Sequence, residues 1–200
     1  MKIKIPDVLL FSRLFFAIII ICITLFPYAN AKTIVLFLMF TGIIADILDG
    51  IIARKLFVST EIFRLLDTVF DLLFYVSILF FIASINPKEI SDNLLLICII
   101  IILEGSMYSI SLARFRKLPS PHAILSKFWG LYMIIEFTLL IIGVAGTHFK
   151  IALVAGIIVH VDRVLIYMFL RHWDHDIPSC YHAFQLRKGE IIKRNKIFNG

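Results

Sequence analysis

Charged residues are scarce in this chain of 200 residues, at 17% of the sequence, whereas 60% of the residues are hydrophobic. Soluble domains are usually about 45–50% apolar, and a water-soluble core of this size could not bury such an excess. The composition therefore indicates an integral membrane protein. Cysteine is also rare, and the three residues are widely spaced, which gives neither a disulfide framework nor a zinc pattern.

Acidic residues are fewer than basic ones, with 14 Asp and Glu against 20 Lys and Arg, and the net charge is +6. In a membrane protein this excess points to anionic lipid headgroups rather than to nucleic acid. Lys2 and Lys4 precede the first apolar run, as they would in a signal peptide. That run is longer than a signal core and contains Arg13, so we interpret it as a retained membrane span.

Six apolar stretches approach the roughly 20 residues that a helix needs to cross a bilayer. Because lipid offers no partners to backbone groups, helices are the expected form. The predicted fold is an all-α integral membrane bundle of six transmembrane helices over residues 1–173, followed by a short polar cytoplasmic tail over residues 174–200. The predicted spans cover residues 8–27, 33–52, 66–85, 93–113, 128–148 and 151–170.

The basic residues predict the orientation of the spans. Of the 20 Lys and Arg residues, 15 flank the spans on one side, 3 flank them on the other and 2 lie within spans. The positive side is expected to be cytoplasmic. The even number of spans agrees, so both termini are predicted to lie in the cytoplasm, at the inner membrane of the cell.

Two pairs of aspartates carry the strongest functional signal. Asp46 and Asp49 are three residues apart at the cytoplasmic end of the second span. Asp67 and Asp71 are four residues apart at the start of the third. Either spacing places both members of a pair on one face of a helix. Antiparallel helices joined by a short loop would bring all four carboxylates together.

Four negative charges at a membrane boundary are costly unless cations balance them. Arg54 offsets one charge at most. Two divalent ions, Mg²⁺ or Mn²⁺, suit carboxylate ligands and could hold a pyrophosphate between them. A single aspartate at a helix end is commonly a cap, but four that match in face favour a metal site.

The same segment resembles the signature of the CDP-alcohol phosphatidyltransferase family, Asp-x2-Asp-Gly-x2-Ala-Arg, a short gap, then Gly-x3-Asp-x3-Asp. Ile5-Pro6 followed by Arg13 is similar to the opening of that family. Phe63 departs from the pattern, because it stands where the family usually has glycine, and its ring could shift the third span. The matching residues are Asp46, Asp49, Gly50, Ala53, Arg54, Asp67 and Asp71.

The resemblance implies roles for these residues. Three aspartates, Asp46, Asp49 and Asp67, would hold one metal ion. Asp71 would share in a second and act as general base on the acceptor hydroxyl. The donor would be CDP-diacylglycerol, with CMP as the leaving group. The residues implied to contact the CDP portion are Gly50, Ala53, Arg54 and Thr60, with Arg13 nearby unless it extends to the membrane interface.

The sequence constrains the identity of the acceptor alcohol less than that of the donor. Glycerol 3-phosphate is the preferred acceptor, and inositol phosphate, serine or another phosphatidyl group remain open. Lys127 is the best candidate for an acceptor phosphate, although basic residues there also serve as cytoplasmic anchors. Arg163 could reach the same phosphate or form a polar lock between helices, and it and Asp162 should each pair with another helix. A homodimer is a further expectation.

Two other classes of function fit some of these features. A divalent-cation transporter also needs membrane carboxylates, but its site would lie near the bilayer midplane, and Arg54 would repel the ion. Phe63 gives some weight to an inactive relative of the family. Such a protein would, however, have no reason to keep four costly aspartates.

Overall fold

The computed structural model describes residues 5–26, 28–55, 61–120, 123–144 and 146–192, apart from the side chains at 50, 53–55, 61–62 and 64–65. Within these residues the chain is helical and contains no β-strand. The helices are α1 (Ile5–Leu25), α2 (Ala31–Lys55), α3 (Glu61–Ile85), α4 (Pro87–Asp92), α5 (Leu94–Phe115), α6 (Ile124–Ile142), α7 (Thr147–Phe169) and α8 (Cys180–Lys188).

Six of these helices, namely α1, α2, α3, α5, α6 and α7, are long and apolar enough to cross a membrane. This finding confirms the predicted all-α bundle and makes the chain a multi-pass membrane protein. The two remaining helices, α4 and α8, are short and lie between or after the spans. The cytoplasmic location of the termini stays a prediction from the distribution of charge.

The fifth span is displaced from its predicted position. The prediction covers residues 128–148, whereas α6 runs from Ile124 to Ile142. Gly143 has a φ of 96°, a left-handed conformation that glycine adopts without strain. The Val144 amide then donates to the Leu139 carbonyl at 2.8 Å, which closes the helix end in a Schellman motif. The hydropathy of the segment gave no sign of this early stop.

The chain divides into two compact units. The first comprises Met1–Ile90 with Phe137–Val144, and the second comprises Ser91–Glu136 with Ala145–Gly200. In the first unit α1 packs against both α2 and α3. In the second unit α5 packs against α7, and α7 packs against α8. The four aspartates of the motif all lie in the first unit.

Close packing holds α2, α3 and α1 together in the first unit. A Cβ atom at Gly42 of α2 would overlap the ring of Phe74 in α3, so the glycine makes room for this ring against α2. Phe63 and Phe70 of α3 form a buried cluster with Leu10 of α1. The Phe63 ring therefore fills a space between helices rather than facing lipid.

Polar contacts hold the C-terminal half of α7 in the second unit. The Arg114 guanidinium, near the end of α5, donates to the carbonyls of Tyr167, Met168 and Leu170. Asp162 of α7 accepts the Cys180 amide, the first of α8, at 2.9 Å. The polar segment after α7 thus contains a helix, and Ala183 at its centre is fully buried.

Candidate active site

The site is built from one face of each of three neighbouring helices. Asp46 and Asp49 occupy successive turns of α2, and Asp67 and Asp71 occupy successive turns of α3. Arg13 projects from α1, the helix that packs against both. The structure thus brings together the four aspartates that the sequence pattern singled out.

Arg13 contacts every carboxylate of the site. Its Nη1 atom donates to Asp46 Oδ1 at 2.9 Å and also contacts Asp71 Oδ1. Its Nη2 atom donates to Asp67 Oδ1 at 2.5 Å and to Asp49 Oδ2. Arg13 has no exposed surface, so it does not extend to the membrane interface. One guanidinium therefore faces four carboxylates.

The aspartates differ in accessibility. Asp49 is only 1% exposed, whereas the side chains of Asp46, Asp67 and Asp71 are 36%, 33% and 29% exposed. Asp49 is therefore the innermost acid of the group. The other three carboxylates keep an open side from which a ligand can approach.

The donor set suits a hard divalent cation. Asp46, Asp49 and Asp67 each offer a carboxylate oxygen, and these atoms lie within 4.8 Å of one another. Among the described side chains, Arg13 is the one cation that pairs with these four carboxylates, so an excess of negative charge remains there. All-carboxylate oxygen ligands are those that Mg²⁺ and Mn²⁺ prefer. The residues present therefore fit the predicted metal ions.

Two features of the site could not be read from the motif. Gly42 lies one turn before Asp46, and the Phe74 ring of α3 packs against it. The buried cluster of Phe63 with Leu10 places a ring one turn from both Arg13 and Asp67. The sequence signal for Gly42 was its position, four residues before Asp46 and eight before Gly50, on the same face of α2.

Several predicted contact residues fall partly or wholly outside the described part of the structure. Gly50, Ala53 and Arg54 belong to the last turns of α2, but their side-chain surroundings are not described. Thr60 lies outside the described residues. Lys127 is exposed near the start of α6, in the second unit. Their predicted roles stay predictions.

A second charge cluster, partly buried, lies within the second unit. Arg163 of α7 donates two hydrogen bonds to Glu104 of α5, at 2.6 Å and 3.1 Å. The His160 Nε2 atom is 3.6 Å from the same carboxylate. Asp162 points to α8 instead. This confirms that Asp162 and Arg163 each pair with another helix, and it favours the polar lock for Arg163.

Comparison with known proteins identifies the family. A family model described as CDP-alcohol phosphatidyltransferase matches residues 3–169, more than four fifths of the chain. The chain belongs to the CDP-alcohol phosphatidyltransferase family. The resemblance is thereby confirmed over the whole set of spans, since the match ends with α7 at Phe169. The comparisons with curated proteins and with solved structures gave no match.

Membership in this family makes the protein a transferase that moves a substituted phosphate group from a CDP-alcohol to an acceptor. The family is generally metal-dependent, in agreement with the cluster of carboxylates. Enzymes of this class act in phospholipid synthesis, which also suits a multi-pass membrane protein.

Proposed function

We propose that the protein transfers a phosphatidyl group from CDP-diacylglycerol to glycerol 3-phosphate, forming phosphatidylglycerol phosphate and releasing CMP. The observation that supports this most is the convergence of four aspartates from α2 and α3 around one centre. An oxygen-rich centre of high negative charge suits a diphosphate bound through divalent ions. Inositol phosphate and serine are the competing acceptors.

Asp46, Asp49 and Asp67 are the proposed ligands of one divalent ion, and Asp71 the proposed ligand shared with a second. Mg²⁺ and Mn²⁺ both suit these oxygens. When bound, such ions neutralise charge on the diphosphate and stabilise both the entering and the leaving oxygen.

Asp71 is the proposed general base. Its carboxylate would take the proton of the acceptor hydroxyl while that oxygen forms a bond to the β-phosphorus, which bears diacylglycerol. The bond from this phosphorus to the bridging oxygen breaks, and CMP leaves with the electron pair. Asp71 lies toward the open side of the site, at 29% exposure, where an acceptor can approach.

The CDP portion would lie against the C-terminal part of α2. Gly50 and Ala53 leave room for the nucleotide there, and Arg54 and Thr60 supply donors to it. Arg13 would contribute a guanidinium to the diphosphate. Lys127 is the proposed partner of the acceptor phosphate.

The positive-inside bias supports an active site on the cytoplasmic face of the inner membrane, with both termini on that side. The aspartates agree with a site at one membrane edge, because Asp49 is the last residue of its span and Asp67 the second residue of the next. We propose residues 1–173 as the catalytic domain and residues 174–200 as a cytoplasmic tail.

The test is a CMP-release assay on detergent-solubilised protein with CDP-diacylglycerol, Mg²⁺ or Mn²⁺, and each acceptor in turn. We expect metal-dependent release with glycerol 3-phosphate. The Asp71→Asn variant should lose about 10²–10⁴-fold in rate, because the acceptor hydroxyl loses its base.

The matched control is Asp92→Asn, the same change at an exposed aspartate of α4, which should leave CMP release intact. Release with serine or inositol phosphate alone would keep the transferase and replace the acceptor. No release with any acceptor, from protein shown to be folded, would rule out the proposed reaction.

A further inference from the structure

Arg13 is a cation within the aspartate site. It is fully buried, and its two terminal nitrogens contact carboxylates from both α2 and α3. Among the described residues no other Lys or Arg forms an ion pair with these acids. A buried guanidinium needs such partners, because an unpaired charge in this environment is costly.

The acids that Arg13 contacts are also those a metal ion would use. Arg13 reaches Oδ1 of Asp46, Oδ2 of Asp49 and Oδ1 of Asp67, the three acids whose oxygens are close enough to share an ion. A bound Mg²⁺ sits about 2.0–2.1 Å from its ligand oxygens. The ion and the guanidinium would then be close neighbours of like charge, which repel each other.

We propose that Arg13 is an internal counter-cation that competes with divalent ions for the aspartate oxygens, and so sets the metal affinity of the site. This inference rests on the proposed function, since it concerns the same site. Metal binding would move the guanidinium off the carboxylates. It would then be free to bind the diphosphate of the CDP-linked donor, so that Arg13 exchanges one set of oxygens for another.

The opposite role makes the opposite prediction. If Arg13 served only to hold the four carboxylates in a geometry suited to metal, removing it would weaken metal binding. If Arg13 competes, removing it strengthens metal binding. The direction of the change in dissociation constant therefore separates the two roles.

The experiment is a calorimetric titration of Mn²⁺ into detergent-solubilised protein without substrate, for the wild type and Arg13→Gln. Glutamine keeps hydrogen-bond donors but removes the charge. We expect the Mn²⁺ dissociation constant to fall by about tenfold or more, because charge-assisted hydrogen bonds no longer compete with the ion. The melting temperature measured in chelator should fall, since the acids lose their counter-charge.

Two further variants keep the test decisive. Arg163→Gln removes another arginine that is bonded to a carboxylate, the partly buried Arg163 of the second unit. It should lower the melting temperature while leaving Mn²⁺ affinity unchanged. Arg13→Lys keeps the charge but cannot span four carboxylates with one ammonium. It should bind Mn²⁺ with intermediate affinity, and it provides the measurement if Arg13→Gln does not fold.

An unchanged or higher Mn²⁺ dissociation constant in both Arg13 variants would overturn the inference. That result would leave the proposed reaction standing, because the titration does not depend on turnover. Conversely, Arg13→Gln could bind Mn²⁺ more tightly while the wild type releases no CMP with any acceptor. The counter-cation role would then stand and the proposed function would fail.

Discussion

Each of the two units pairs an arginine with carboxylate, but with a different balance of charge. Arg13 in the first unit faces four aspartates, whereas Arg163 in the second forms a two-point ion pair with one glutamate, Glu104. A balanced pair within a membrane needs no further partner. An unbalanced cluster requires one, and this difference separates a binding site from a structural lock.

Neutralising one acid in each cluster should have opposite effects on stability. Glu104→Gln should lower the free energy of unfolding by about 2–3 kcal/mol, because Arg163 loses its counter-ion. The loss is smaller than for a fully buried pair, since the Glu104 side chain is 30% exposed. Asp71→Asn should raise stability in chelator by about 0.5–1 kcal/mol, because repulsion among like charges falls.

SDS unfolding titrations in mixed micelles, with chelator present, measure both changes. The double variant Glu104→Leu with Arg163→Met serves as the control, since replacing both partners with apolar residues should recover most of the loss. If Asp71→Asn were instead as destabilising as Glu104→Gln, the first cluster would be a structural network, and the contrast between the units would fail.

Two glycines, one in each unit, allow the units to be compared through helix packing. A Cβ atom would meet the Phe74 ring at Gly42, beside the aspartates, and the Trp129 ring at Gly156, in the second unit. Phe74 is buried, so its ring cannot easily move. Gly42→Ala and Gly156→Ala should each cost about 1–2 kcal/mol through overpacking.

Only the contact between Gly42 and Phe74 joins the two helices that carry the aspartates. Gly42→Ala should therefore lower CMP release severalfold, and Gly156→Ala should leave it unchanged at a temperature where both variants are folded. Equal losses of CMP release would show that the assay reports stability rather than site geometry.

The smallest expected effect concerns Asp162, whose charge is met by the amide of Cys180 rather than by a cation. Burial and the Asp162 carboxylate raise the pKa of the Cys180 thiol to about 11. The thiol is therefore protonated at neutral pH, and its alkylation should speed up as the pH rises toward that value. Asp162→Asn should lower the pKa and accelerate alkylation at pH 8 severalfold.

Mass spectrometry of iodoacetamide-treated protein would follow Cys180 separately from the other two cysteines, which lie in spans. Glutathione provides the reference for an ordinary thiol. Alkylation of Cys180 as fast as that of glutathione at pH 7.5 would contradict the raised pKa.

The face-matched aspartates could be predicted from sequence because helical periodicity alone decides which residues share a face. Asp46 and Asp49 on one helix, and Asp67 and Asp71 on the next, need only a short antiparallel connection to meet. The number and class of the spans followed in the same way from length and hydropathy.

The contacts of Arg13 could not be predicted, because they depend on the rotation of α1 against two helices more than 30 residues away. An arginine one third of the way along a span can equally extend its side chain to the interface or pair with acids. Phe63 raised the same difficulty, since only the packed helices show its ring against Leu10 and Phe70. The helix α8 was hidden by the polar composition of its segment.

The hydrogen bonds from Arg114 to the last carbonyls of α7 have a mechanical consequence. One planar group with several donors holds three backbone oxygens, at Tyr167, Met168 and Leu170. A force applied from the C-terminal direction would first separate α8 from α7, breaking the Asp162–Cys180 hydrogen bond and the buried contacts around Ala183. Only then would the force act on the hydrogen bonds of Arg114. The end of α7 should therefore resist the force longer than the segment beyond it.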